Sequence, residues 1–359
     1  MKKMGITWKE IAKRAGGYLR KSRDATGVDV GSRFMKSVML QAGRSCPTLK
    51  CFAVGTIDPR PYQDSHTDLD QSRAIAKVLR DQLTTFPHSV GISASGPQVL
   101  LKILTLPVMT ENDLREHLAL ELDRYIPLDV QHVVWDVYRH KIPVFFKDGR
   151  QDHFLVVAKK DFIENRIQNF EHQGMKVHFV DVDTFALVNM VAYNYGDEGT
   201  WLVVHLGPTG ILLVIMEDGQ PVHIRQVSYE AEWYGDLLDR VLLTDETSDE
   251  DYQLGASETL LLEQFFKETT DQIVETLTYF SDRSEKAVMP GILLSGGYSG
   301  LEGLQARLAD SLKMPVSLVD PFKEIAVPPA VHQDFRFQKA SPLLGVAVGL
   351  ALRGVAHHD

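Results

Sequence analysis

Two strand-turn-strand segments of the same layout lie half a chain apart, and a chain built that way folds as two related lobes. In the first segment, short apolar runs at 28–30, 34–40 and 51–57 surround a tight turn at Gly31 and Ser32. In the second, runs at 201–206, 211–216 and 222–227 are separated by Gly207 and by Asp218 with Gly219. Superposing Gly31 on Gly207 gives an offset of 176 residues in a chain of 359. An offset that large marks a duplicated lobe, because solenoid repeats recur at far shorter periods.

The elements between and after these segments follow from periodicity and caps. The spacing predicts a helix at 70–83 and strands at 90–94 and 99–106. Thr110 with Asp113 reads as a capping box, opening a helix that runs to Tyr125 and stops at Pro127. Strands at 132–139 and 152–158 follow, then a helix opened by Asp161 and Glu164 and closed by Gly174, then a strand at 177–182. Residues 104–180 therefore read αββαβ, a small subdomain inserted into the first lobe. A helix at 186–195 leads into the second lobe, which adds a helix at 256–281 and a strand at 291–295 ending in Gly296 and Gly297. A helix from Gly300 to Lys313, a strand at 316–319 and a Gly/Ala-rich helix at 342–353 close the chain. The expected fold class is α/β, with an arm at 1–24, a first lobe at 25–103 plus 181–197, an insert at 104–180 and a second lobe at 198–355. The second lobe holds a helical and acidic part at about 230–286.

Charge excludes one class of partner. With 38 basic and 48 acidic residues the net charge is −10, against the clustered Lys and Arg that nucleic acid demands. That total hides two patches. Residues 1–24 carry eight bases against Glu10 and Asp24, leaving +6, whereas 230–251 carry nine acids against Arg240, leaving −8. In the arm, Ile6, Trp8, Ile11, Ala12, Ala15, Tyr18 and Leu19 fall at helical spacing opposite most of the bases. The arm is thus expected to be an amphipathic helix suited to an anionic membrane surface, or a self-packed extension. The acidic stretch is expected as a solvated loop or helix edge.

Several chemistries have no sequence support. The two cysteines, Cys46 and Cys51, lack zinc-site companions and read as reduced thiols of a cytosolic protein. The apolar stretches at 201–216 and 342–355 are too short and too interrupted to span a bilayer, and the first residues do not read as an export leader. Neither a phosphate-binding P-loop nor a Gly-x-Ser-x-Gly elbow occurs. Glu116 with His117, and His357 with His358, lack a further ligand at useful spacing.

Three glycine turns remain, each after an apolar strand: Asp29 and Gly31, His205 with Gly207 and Gly210, and Gly296 and Gly297 with Gly300. Glycine lets backbone amides approach phosphate oxygens, and a strand-borne Asp can hold a hydrated magnesium ion. Two opposed hairpins and a Gly-Gly turn before a helix would together frame a nucleotide cleft, with Asp29 as the magnesium residue.

The residues 27–38 around Asp29, Gly31 and Lys36 resemble the first phosphate motif of the actin-like ATPase superfamily. The resemblance extends through Thr105 to Pro107, Glu121 to Leu128, Ala158 to Asp161, Val180 to Asn189, Leu294 to Gly297 and Gly345 to Gly354. In this order, over about 25–355, it is specific to the type IV pilus assembly PilM family, relatives of the cell-division protein FtsA. The resemblance implies a two-lobed actin-like, ribonuclease H-like duplicated fold. It also implies ATP or ADP with Mg at Asp29, Gly31, Ser32, Lys36, Gly207, Thr209, Gly296, Gly297 and Tyr298. It departs from the family where His205 stands for an Asp, Ile211 for a Thr, and the strand ending at Val227 lacks its Gly pair. An imidazole cannot do a carboxylate's work on magnesium or water, so binding without hydrolysis, and no catalytic residue, is expected.

A PilM-like chain is expected in the cytoplasm at the inner face of the inner membrane. There it would dock the N-terminal tail of a PilN-like protein, meet other alignment and motor components, and form a ring. An extended tail needs an apolar groove between the first lobe and the insert. The strands at 99–106 and 133–138 both qualify, with Leu101, Ile103, Leu106, Val133 and Trp135 as candidate groove residues. Two rivals are an active ATPase or sugar kinase of the superfamily, which needs a carboxylate where His205 stands, and an FtsA-like membrane tether, expected to end in a linker and amphipathic helix.

Overall fold

The computed structural model describes residues 6–7, 22–31, 34–56, 68–83, 85–96, 98–139, 149–196, 198–229, 255–281 and 289–355. The chain opens with β1 (Ile6–Thr7), β2 (Asp24–Val30), β3 (Phe34–Gln41), β4 (Thr48–Thr56), α1 (Asp68–Gln82) and β5 (Ser89–Ala94). Next come β6 (Val99–Pro107), α2 (Glu111–Glu121), β7 (Val133–Arg139), β8 (Arg150–Lys159), α3 (Lys160–Glu171), β9 (Lys176–Val182) and α4 (Asp183–Tyr195). The second half has β10 (Thr200–Gly207), β11 (Gly210–Glu217), β12 (Gln220–Ser228), α5 (Ala256–Ser281), β13 (Ile292–Ser295) and α6 (Leu304–Leu312). It ends with β14 (Val316–Leu318), α7 (Pro329–His332), α8 (Phe335–Ala340) and α9 (Gly345–Gly354).

The two glycine-turn segments build two sheets of identical plan. One runs β4-β3-β2-β5-β9 and the other β12-β11-β10-β13-β14. In each, three strands joined by short turns pair antiparallel, and two later strands add in parallel on the side of the first. Parallel addition needs a crossover, which is why helices separate those later strands.

The sheets face each other across α4 and α9, whose residues fill the largest core with Val38, Leu40, Val203, Val214 and Leu293. Helix α9 is buried all round from Gly345 to Leu352, as its uninterrupted apolar sequence requires. Glycine sets how closely it packs. A Cβ on Gly349 would run into the backbone carbonyl of Ala186 in α4, and one on Gly27 in β2 would meet that of Ala347.

The insert is a four-stranded sheet, β1-β7-β8-β6, with α2 on one face. Leu114 and Leu118 of α2 pack there on Leu104, Leu106, Val133, Trp135, Val137, Leu155 and Val157. The opposite face turns toward the first lobe, where Phe154 lies edge-on to Phe185 of α4 at 5.8 Å and Tyr138 closes the cluster at 6.0 Å.

Sheet membership moves the expected borders. β6 pairs with β8 along its whole length, so the insert's sheet takes in Val99 to Ile103, which the division at 104 left in the first lobe. β9 pairs in parallel with β5, and α3 packs on α1, with Ser72 Oγ donating to the Asn169 carbonyl at 2.8 Å. α3 and β9 are therefore part of the first lobe's layers, and the αββαβ reading of 104–180 gives way to β6-α2-β7-β8. At the arm, Ile6 and Thr7 form a strand rather than the start of a helix, because β7 has a free edge that their backbone pairs with. The rest of the proposed arm helix, the acidic stretch at 230–251 and His357 with His358 lie outside the described residues. Neither Cys46 nor Cys51 is in a disulfide, and Cys51 Sγ lies 4.0 Å from Met39 Sδ. Among the described residues no helix is long and apolar enough to cross a membrane.

Candidate functional site

Asp29 and Lys36 are cross-strand partners in the β2–β3 pair, so their side chains leave the sheet on one face. Both are buried, and Lys36 Nζ donates to Asp29 Oδ2 at 2.6 Å. Ser93, at the end of β5, donates from Oγ to Asp29 Oδ1 at 2.8 Å and accepts from the Val30 amide at 3.3 Å. Arg166 of α3 ties the two strand ends together, donating from Nη1 to the carbonyls of Val30 at 2.9 Å and Ser93 at 3.0 Å. Its guanidinium sits 4.9 Å from the centre of the Phe162 ring.

Burial alone would raise the Asp29 pKa. The Lys36 charge, with hydrogen bonds from Lys36 and Ser93, outweighs it and holds the carboxyl below its ordinary value. Asp183, the first residue of α4, goes the other way: burial and then the charge of Asp29 push it up to about 7, against hydrogen bonding by Thr184 and the charge of Lys36. His205 enters from β10 of the second lobe. Burial and then Lys36 push it down to about 4, against the pull of Asp29, so it is neutral at pH 7. Its Nδ1 lies 3.4 Å from Ser295 Oγ, and Ser295 Oγ lies at the same distance from the Pro342 carbonyl. Strands of both lobes and the start of α4 thus meet at one site between the lobes.

The glycine turns are spent mostly on the protein itself. The Gly31 amide donates to the Phe34 carbonyl at 3.0 Å, closing its hairpin. Gly207 faces Gly210 across a two-residue turn of Pro208 and Thr209, and Pro208 has no amide to offer. Thr209 is exposed, and its carbonyl accepts from the Tyr229 amide at 3.3 Å. Gly296 has φ +93°, and a side chain there would strike the backbone of Leu206; its amide faces the Pro342 carbonyl at 3.4 Å. Gly297 borders open space. Tyr298 corrects the expectation of a nucleotide contact: its ring is fully buried in the second-lobe core, edge-on to Phe265, and its amide donates to the Leu206 carbonyl at 3.2 Å. Ser32 lies outside the described residues.

Sequence reasoning missed Ser93, Arg166 and Asp183. Ser93 and Asp183 each stand at the end of an apolar strand of the first-lobe sheet, and that position is the signal that could have marked them. Arg166 carried none, since its role depends on α3 folding back over β2 and β5. Among the described residues no group of three or more His, Cys, Asp or Glu side chains could hold a metal ion.

The candidate groove residues divide by strand alternation. Leu106, Val133 and Trp135 point beneath α2 and are at most 7% exposed, so their side chains are core of the insert, and of the three only Val133, at the start of β7, also borders a hollow. Leu101 and Ile103 lie on the other face of edge strand β6, with Ile103 38% exposed. A different concavity separates the lobe from the insert. This cleft, of about 500 Å³, has Leu128, His132 and the paired strand ends Val133 of β7 and Lys159 of β8 on one wall and Lys160, Asp161 and Glu164 of α3 on the other.

The family model described as type IV pilus assembly protein PilM matches residues 27–355. The chain belongs to the PilM family. Among solved structures it is similar to the PilM–PilN type IV pilus biogenesis complex, at 21% identity over 94% of this chain and 100% of that one, with a TM-score of 0.75. The shared architecture is the two-lobed actin-like fold. The chain is also similar, at a TM-score of 0.48 and 12% identity, to the ethanolamine utilization protein EutJ from Carboxydothermus hydrogenoformans, over 94% of this chain and 92% of that one. The PilM match contains Asp29, Lys36, Asp183, His205 and both walls of the cleft, and it begins after β1.

Proposed function

We propose that this PilM-family chain is a cytoplasmic docking scaffold of type IV pilus assembly, working at the inner face of the inner membrane and binding nucleotide without turning it over. The observation that carries the docking role is the cleft between the first lobe and the insert, one wall of which is the start of β7. An extended peptide can use such a strand edge for main-chain hydrogen bonds and the adjoining hollow for side chains. The occupant that fits is the N-terminal cytoplasmic tail of a PilN-like inner-membrane protein, since the similar solved structure is a complex with PilN. Contacts with other alignment and motor components, and a ring of several copies, belong to the same reading.

The residues of the interlobe cleft fit ATP or ADP with Mg in part. Asp29 and Asp183 are close enough that one charge raises the pKa of the other, a strain that a hydrated magnesium ion relieves. Lys36 supplies a cation for phosphate, and Gly207 and the open space at Gly297 leave room for the backbone to approach it. Hydrolysis lacks support because the neutral His205 cannot orient water as a carboxylate does. For the same reason an active kinase or ATPase is not favoured, and nothing described favours a division tether.

Calorimetric titration of a synthetic PilN tail peptide tests docking. Leu128→Arg, on the cleft wall, is expected to weaken binding by about tenfold with the melting temperature as a folding control. Unchanged affinity in that variant would overturn the site. ATP with magnesium should give binding heat, and ATP turnover that disappears in Asp29→Ala would contradict the absence of hydrolysis.

A further inference from the structure

Strand β7 would be the edge of its sheet but for two residues. β1 pairs with it in parallel, Ile6 opposite Val134 and Thr7 opposite Trp135. The neighbour of that paired stretch, Val133, borders the cleft between lobe and insert. Beyond Trp135 the edge is closed from within. Asp136 Oδ1 accepts from the Val137 amide at 2.8 Å and from Arg115 Nη1 at 2.8 Å, so that amide is not open to an added strand. The part of β7 able to accept a strand is therefore short, and β1 takes it. β1 also lies outside the segment that the family model matches.

We infer that β1 and the docking tail are alternative occupants of one strand edge, so that the chain's own N-terminal strand occludes the cleft until the tail displaces it. The inference rests on the docking reading above, in which the tail uses the edge of β7 as well as the hollow. The pairing is poised to be displaced. It spans two residues, too few for a stable strand by themselves, and is sustained because a segment of the same chain is present at high effective concentration. A site open in only a fraction of molecules binds with its affinity reduced by that fraction. Proline at positions 6 and 7 removes the amides that a ladder needs and frees the edge without touching the cleft walls.

The test measures fluorescence anisotropy of a labelled synthetic PilN tail peptide on the full chain, on Ile6→Pro/Thr7→Pro, on Leu128→Arg and on their combination. The expected result is about fivefold tighter binding by the proline variant, and weaker binding wherever Leu128→Arg is present. An unlabelled peptide of residues 1–12 should then compete for the proline variant. Equal affinity of the full chain and the proline variant, with Leu128→Arg still weak, overturns occlusion and leaves docking standing. Weaker binding by the proline variant overturns it too, since β1 would then be part of the tail's site. No effect of Leu128→Arg in either background overturns the docking reading, and the shared edge with it.

Discussion

Lys36 meets Asp29 at 2.6 Å directly across the β2–β3 pair, with both side chains almost closed off from water. Removing one partner of such a pair costs more than the pair contributes, because the other charge stays buried alone. Lys36→Ala is expected to lose about 3 kcal/mol in chemical denaturation at pH 7. The Asp29 pKa is lowered in the folded chain, so its contribution is present above the ordinary carboxylate value and lost as pH falls through the folded one. The gap between wild type and Lys36→Ala should therefore narrow below about pH 4. A gap that stays constant with pH would contradict the ionic role.

Asp183 has the opposite sign. Its pKa is raised to about 7, so the folded state binds a proton that the unfolded chain has released, and stability falls as pH rises from about 4 to 7. Asp183→Asn keeps an acceptor for the Thr184 amide and removes the charge. Its melting temperature should exceed that of the wild type at pH 8, by an amount equivalent to roughly 2–4 kcal/mol, and the difference should shrink steadily at lower pH and vanish only below about pH 4. A difference that does not change with pH would show that the Asp183 carboxyl is not raised in the folded chain.

His205→Asp places a third carboxylate against Asp29 and Asp183. Three like charges in one cleft oppose folding at pH 8 by about 1–2 kcal/mol unless a cation joins them. Millimolar magnesium chloride should raise the melting temperature of this variant more than that of the wild type, with sodium chloride of equal ionic strength as control. Failure of magnesium to distinguish the two would argue that the carboxylates cannot share an ion.

Trp135 and Ile103, both read from sequence as groove residues, should separate sharply. Trp135 is 2% exposed among the side chains under α2, and Trp135→Ala is expected to cost about 3–5 kcal/mol. Ile103, 38% exposed on an edge strand, should cost well under about 1 kcal/mol as Ile103→Ala. Thermal melts of the two variants check this, and similar losses would refute the assignment of faces.

Much of the architecture was legible in the residues because its signals are local. The runs around Gly31 and Gly207 announced two lobes, and each became a sheet of the same strand order. The periodic segment at 256–281 is a single helix with those bounds. Asp29 and Lys36, seven positions apart across a tight turn, were readable as a facing pair once the hairpin was recognised.

What the sequence by itself determined is therefore the set of strands and helices, the duplication, and the one carboxylate on which the interlobe cleft is built. Only the tertiary structure decided which side of each strand became interior. Trp135 and Leu106 look like groove walls until α2 covers them, and Tyr298 looks like a cleft residue until Phe265 packs against it. Tertiary structure also assigned β6 to the insert and β9 to the first lobe, brought Ser93, Asp183 and His205 to Asp29 from three distant segments, and set Arg166 on the strand ends beside it. Alternation and propensity act between near neighbours, whereas burial, pKa and strand partnership depend on what arrives from elsewhere in the chain.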